Sequence, residues 1–493
     1  MATAYLRASG IDLDAEMAKI QFGEAGLRMG PGPSYGTRLE MKPLQKILRV
    51  ANVSIPSTEP GTSWDITVSG GKIQSVMPHD QKELDISNRE HINGHGALLT
   101  PSLCHPHVHM DKAFLLSHPK YAHLQIEQGN FAEAMELTGK AKANFEHDDL
   151  IERGNRLVDE SVQAGVTAMR AFVEVDPIVN MKCLEAGKAI KKANADRERC
   201  DVQLCAFAQL PLFSGDDDGK EIRRLMKDAA ADSEADAVGS TPYVEDNREK
   251  MQKNVEWTID LALETQKHLD FHLDYHLDQD TQPLVWHVID VLKAKNWTAR
   301  TNKTIVLGHC TRLTLFKDDD WKKLRDAVAD LPISFVGLPT SDLFMMRTEN
   351  GARGTLPIPK LIKECGFNAA IGINNIGNAF TPQGSCDPLS IASLGVGLYQ
   401  AGTKQDAELL YECVSSRARA AIGLSQSHAT GEASGESLTS CSLKLASEQS
   451  ADLVLFPSEK PDWHTRHSVS EAVYLYDGAK RRTVIKAGFL VDA

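Results

Sequence analysis

The sequence predicts an α/β fold: a (β/α)8 TIM-type barrel with a small β-sandwich domain formed by the N- and C-terminal flanks. Three observations predict it. Apolar β-type runs alternate with helical runs through the middle of the chain, which favours a parallel sheet. Eight such runs favour a closed barrel over an open sheet. Both flanks instead show short β runs broken by Gly, Asn and Pro, and chain ends often lie close enough to share one domain. No G-x-G-x-x-G follows a strand, so nothing supports a dinucleotide site.

The eight barrel strands are expected at 99–109, 167–175, 201–210, 236–241, 269–274, 304–310, 333–339 and 369–373. Helical patterns fall at 148–165, 178–196, 248–268, 283–296 and 405–422. In the flanks, "KILRVANVSI", "SWDITVSGGKIQSVMP" and "HINGHGALLT" read as strands, with a hairpin turn at Gly70-Gly71. "ADLVLFPSE" and "HSVSEAVYLYDGAKRRTVIKAGFLVDA" read the same way, with a turn at "YDGAK". The domains expected are 1–43 as an extension of unknown role, 44–98 with 443–493 as the sandwich, and 99–442 as the barrel. The Ser/Gly-rich stretch 424–442 reads as a loop or connector.

The bulk numbers exclude several classes. The chain has 493 residues, 42% apolar and 25% charged, as expected for a globular protein. A formal charge of −13 argues against nucleic acid as a partner. No run is long and apolar enough for a membrane helix. The N-terminus lacks the basic start and apolar core of a secretory signal. Nine irregularly spaced cysteines with no C-x-x-C pair read as reduced thiols, and the expected location is cytoplasmic. A small molecule is the expected partner, and a homo-oligomer is left open.

Chemistry concentrates in a few positions. In His107-Val108-His109, strand alternation points both imidazoles to one side. At the C-terminal end of a barrel strand that side is the mouth, where such folds keep their chemistry. Imidazole is a common metal ligand. The plainer reading of this pair alone is two surface histidines. His272 and His309 change the balance, because each falls where an expected strand, the fifth and the sixth, hands over to a loop.

With these residues in view, "TPSLCHPHVHMDKAF", "FHLDYH", "LGHC" and "GINN" resemble the amidohydrolase superfamily. Within it the chain is similar to cytosine deaminase-like hydrolases and triazine aminohydrolases. The resemblance runs from about residue 46 to 493 and includes, less tightly, "FAQLPLF" and "LPTSDLF". It implies that His107, His109 and His272 hold one divalent metal ion, zinc rather than iron. It implies that His309 positions or polarises water or substrate, and that Gln209 hydrogen-bonds the substrate ring. It also implies a strand-eight Asp and a Glu three residues after the strand-five His. Here those positions hold Asn374 and Tyr275.

Both departures remove a proton carrier. An amide cannot act as a base near neutrality, though its oxygen can face a metal. A phenol at its ordinary pKa of about 10 is a poor base. Three readings follow. The chain hydrolyses a C–N bond of a small cyclic nitrogen compound, with His309, Tyr275, Asp274 and His276 as alternative proton carriers. Or it uses the metal as a Lewis acid for isomerisation, cyclisation or elimination. Or it only binds a ligand.

Other residues have two readings each. Asp274 could reach the mouth or orient an imidazole. Asp342 is a candidate substrate contact from the strand-seven loop, with Phe344, Met345 and Met346 as pocket wall or core. Arg170, Glu174 and Asp176 share one strand face and read as a buried ion pair. Asp387 reads as a helix N-cap or as a replacement carboxylate. Lys112 is not a bridging carbamate, since the similar group binds one metal. His105 reads as a loop residue.

Overall fold

A computed structural model of the chain describes residues 44–80, 87–424, 441–458 and 463–491. The expected extension 1–43 and most of the 424–442 connector lie outside the described residues. Sixteen strands are described. In chain order they are β1 (Arg49–Val53), β2 (Trp64–Ser69), β3 (Lys72–Pro78), β4 (His91–Asn93), β5 (Leu99–Pro101), β6 (Leu103–His109), β7 (Val166–Glu174), β8 (Asp201–Ala208), β9 (Ala235–Ser240), β10 (His268–Leu273), β11 (Ile305–His309), β12 (Ile333–Gly337), β13 (Asn368–Ile371), β14 (Leu453–Leu455), β15 (Thr483–Lys486) and β16 (Phe489–Leu490).

β6 to β13 form one eight-stranded parallel sheet in chain order, with helices between the strands. The two ends meet through a parallel bridge between Val108 and Asn374. There the His109 amide donates to the Asn374 carbonyl at 2.8 Å, and the Asn374 amide donates to the His107 carbonyl at 3.1 Å. The barrel therefore closes at the residues expected to carry the chemistry. Its strands are almost wholly buried, as continuous apolar runs covered by helices require.

The flanks form two further four-stranded sheets, β3-β2-β1-β4 and β16-β15-β14-β5. They share a core of Ile47, Val50, Ile66, Leu99, Leu453 and Ile485, each fully buried. Gly70 and Gly71 both take positive φ and join β2 to β3, as the turn pattern requires. Two expectations are corrected. The run 99–109 is two strands, because β5 pairs antiparallel with β14 and the chain enters the barrel only at Leu103. "SVSEAVY" forms the helix Val469–Tyr474, because Ser468 and Glu471 make a capping box that satisfies its first turn.

The expected helix at 405–422 is also two, Lys404–Cys413 and Ser416–Ala421. At the break the Cys104 amide takes the Val414 carbonyl, and Ser415 Oγ donates to the Ser102 carbonyl at 2.7 Å. The β6 edge competes for backbone partners that a continuous helix would use. Among the described residues no helix is long and apolar enough to cross a membrane.

Candidate functional site

The barrel interior is layered. At the bottom, Arg170 donates to Asp270 at 3.0 Å, to Gln203 and to the Ile422 carbonyl. Phe172 and Phe207 pack edge to face above it, with ring centroids 5.1 Å apart. The imidazoles stand on this aromatic floor, His107 4.2 Å from Phe172 and His272 4.3 Å from Phe207 by ring centroid.

His107 and His109 project from the end of β6, His272 from β10 and His309 from the end of β11. The Nε2 of His272 lies 3.2 Å from that of His107 and 2.9 Å from that of His109. Nitrogen atoms of His107, His272 and His309 all lie within 4.8 Å of one another. His272 is thus the hub of a four-imidazole cluster, which His109 joins through its contact with that hub. Gly308 makes room, since a Cβ there would sit 3.0 Å from the His107 ring.

Burial holds His107, His109 and His272 far below the ordinary histidine pKa. Neighbouring imidazoles, Arg170 and Lys112 add to this. All three are neutral at neutral pH, so each ring has one lone pair. His272 Nε2 faces two other Nε2 atoms, and one proton can serve only one of those contacts. The Nδ1 atoms of all three rings have no hydrogen-bond partner, although that of His107 lies 3.9 Å from Asp270. Three neutral rings that converge through Nε2 fit a divalent ion better than they fit one another.

His309 differs from the other three. Its Nδ1 meets Asp342 Oδ1 at 2.8 Å, which fixes the ring and turns Nε2 toward the cluster. Asp342 also accepts from Thr355 at 2.7 Å and from the Leu338 amide. Asp342 was expected to contact substrate; in the structure its oxygens meet His309, Thr355 and the Leu338 amide. Tyr275 lies across His309, with ring centroids 3.9 Å apart. Burial pushes its phenol well up, so it keeps its proton.

Asn374 takes a left-handed backbone, φ 60°, just beyond β13. Its side-chain Nδ2 donates to Ser341 Oγ at 2.8 Å, and Ser341 is held in turn by Thr381 at 2.6 Å. The Asn374 Oδ1 is buried without a hydrogen-bond partner. A fixed amide whose oxygen lies against His107 is a second feature that fits a cation.

Asp274 is not part of the cluster. Its carboxylate accepts from the amides of Leu284 and Val285 at 2.7 and 3.0 Å, at the start of the helix Val285–Ala294. The expectation that it carries protons at the site is corrected. The left-handed turn at Asp274, φ 48°, swings the side chain out of strand alternation.

Gln209 sits one residue beyond β8, and its Oε1 accepts from Lys112 Nζ at 3.3 Å. Lys112 is weighed in the sequence reading only as a bridging carbamate and is given no role at the site. It is fully buried, pairs with Glu174 at 2.5 Å and lies over the Phe380 ring. The run "HVHMDK" carried the signal, since a lysine three residues past a ligand pair cannot be far from it. Glu174 also pairs with Lys142, which reaches Asp176. Arg170 takes no part, so the three charges expected on one face divide between two separate networks.

Asp387 caps the helix Pro388–Leu398 and holds Arg482 at 2.7 Å, away from the imidazoles. His105 is buried on β6 rather than in a loop, meeting Ser161 and the Cys386 carbonyl at 3.1 Å each. Met345 packs with Tyr275, Ala379 and Phe380, with Phe344 and Met346 partly buried against them.

No family model matches the chain. Over 458 residues it is 24% identical to an N-isopropylammelide isopropyl amidohydrolase of Pseudomonas sp. (strain ADP), covering 91% of this chain and 98% of that one. The fold matches a 5-methylcytosine deaminase from Klebsiella pneumoniae crystallised with 5-fluorocytosine. The TM-score is 0.74 at 21% identity, over 90% of this chain and 97% of that one. It also matches a zinc-bound adenosine deaminase from Xanthomonas campestris, with a TM-score of 0.57 at 16% identity over 91% and 93% of the two chains. The similarity runs over nearly the full length, and these proteins share with this chain the barrel with flanking sheets, at whose mouth its histidines gather.

Proposed function

We propose that the chain is a metal-dependent hydrolase that cleaves a C–N bond of a small cyclic nitrogen compound, as deaminases and aminohydrolases do. The observation that carries this is the convergence of neutral imidazoles on His272, with His309 backed by Asp342. His107, His109 and His272 hold one divalent ion, with Asn374 Oδ1 turned toward it. Zinc is favoured over iron, because zinc accepts an all-nitrogen, low-coordinate set without a carboxylate. When bound, the ion supplies Lewis-acid polarisation and acidifies water. The relatives' names support the substrate class: an isopropylammelide, a methylcytosine and adenosine.

The chain's own residues divide the remaining work. His309 accepts the proton, since Asp342 fixes its ring and stabilises the charge it gains. Asn374 orients and does not titrate. Tyr275 donates a hydrogen bond and excludes water from one face of His309. Gln209 and Lys112 offer an amide and an ammonium to polar atoms on the substrate rim.

The test is release of ammonia or amine from a panel of amino-azines by zinc-loaded protein. Release that disappears in His309→Asn supports the reading. Tight metal binding with no release from any member of the panel favours the second reading, a Lewis-acid isomerase, cyclase or lyase. One observation supports that alternative: Asn374 is not a base.

A further inference from the structure

The donor atoms that an ion between the imidazoles would meet are few. They are the Nε2 atoms converging on His272 and the Oδ1 of Asn374, and neither an imidazole nitrogen nor an amide oxygen brings a negative charge to an ion. Each nearby carboxylate has a partner outside the cluster, including Asp111, whose Oδ2 accepts from the Glu174 amide at 2.7 Å while its Oδ1 is buried without a partner. Asp270 binds Arg170, Asp342 binds the far nitrogen of His309, Glu174 binds Lys112 and Lys142, and Asp274 binds two backbone amides. Among the described residues no carboxylate forms an ion pair with an Nε2 of the four rings. Lys112 adds a further cation at the mouth.

A divalent ion held here brings two positive charges into a buried place where no donor atom is anionic. Buried charge is stable only when a partner meets it. In this chain the position that could supply that partner from the protein is Asn374. Its amide is locked by Ser341 and cannot ionise.

We propose that the site takes its substrate as an anion, with Asn374 standing where a carboxylate would neutralise the ion. The ligand supplies the missing charge as a deprotonated ring nitrogen or ring oxygen of a small cyclic imide or ureide. A neutral ring of the same shape leaves the ion uncompensated and binds less tightly. This rests on the metal-dependent reading above and narrows its substrate class.

The experiment is calorimetric titration of the zinc-loaded full chain at neutral pH. The ligands are barbiturate, a ring anion, and uracil, a neutral ring of the same size. Barbiturate is expected to bind at least about tenfold tighter. Asn374→Asp, which places the charge on the protein, is expected to erase most of that ratio. Asn374→Ser, which stays neutral, is expected to keep it. Zinc content and circular dichroism confirm that each variant is loaded and folded. Equal binding of the two rings by the native chain overturns the proposal, whether or not a variant folds. So does a preference that survives chelation of the metal, or one that Asn374→Asp leaves unchanged. Ammonia release is read separately: its absence sinks the hydrolase reading, while the binding ratio still decides this one.

Discussion

The Nδ1 of His309 lies 2.8 Å from Oδ1 of Asp342, and both groups are buried. The pairing fixes which nitrogen of the ring faces the other three imidazoles, and it sets His309 apart as the one ring with a charged partner at hydrogen-bond distance. Asp342→Asn keeps the shape but lets the ring adopt the other tautomer. Turnover should fall about 10²-fold, the scale of a positioned proton acceptor. Bound zinc, measured by atomic absorption, should not change. A parallel loss of zinc would show that His309 is a ligand instead.

Ser341 tests the role given to Asn374. With Ser341→Ala the amide loses the acceptor that holds its NH2 and can turn that group toward the imidazoles. Zinc affinity should drop about 10- to 100-fold, as loss of a group that orients a ligand does. Competition with a chromogenic chelator gives the value directly.

Removal of the metal should destabilise the fold. Without a cation, the Nε2 of His272 faces two other imidazole nitrogens at 3.2 and 2.9 Å, and one proton can satisfy only one of those contacts. A ligand present at 100 times its dissociation constant stabilises a protein by about 2.7 kcal/mol. Chelation should therefore lower the melting temperature by a few degrees, and His272→Ala should make the protein insensitive to chelator.

Asp274 separates stability from chemistry. Asp274→Ala leaves two buried amides without an acceptor and should cost about 1–3 kcal/mol in urea unfolding. Metal content should be unaffected. Loss of zinc would return Asp274 to the site.

Glu174 predicts acid sensitivity. Burial pushes its pKa up, but Lys112 and Lys142 outweigh that and hold it down to about 2, below the ordinary 4.5. A depressed carboxylate contributes stability that is complete above pH 4.5 and is lost as pH falls toward 2. Glu174→Gln leaves the buried Lys112 without its carboxylate, while Lys142 keeps Asp176, and should cost about 3–5 kcal/mol at neutral pH. Its stability should also fall less steeply than the native chain's on acidification.

The sequence alone determined the barrel, the order of its strands and the strand ends that carry histidine. Those depend on local alternation and on where an apolar run stops, and both are written residue by residue. It also set the chemical departures, because Asn374 and Tyr275 cannot ionise usefully wherever they sit. Tertiary structure decided which polar groups face one another. Asp274 and Asp342 look alike in sequence, each within a few residues of an expected strand end. A left-handed turn sends Asp274 to a helix start, while packing places Asp342 behind His309. Lys112 became part of the mouth only when β7 brought Glu174 beside it. Contacts between groups remote in the chain depend on closure of the whole barrel, and no local pattern encodes them.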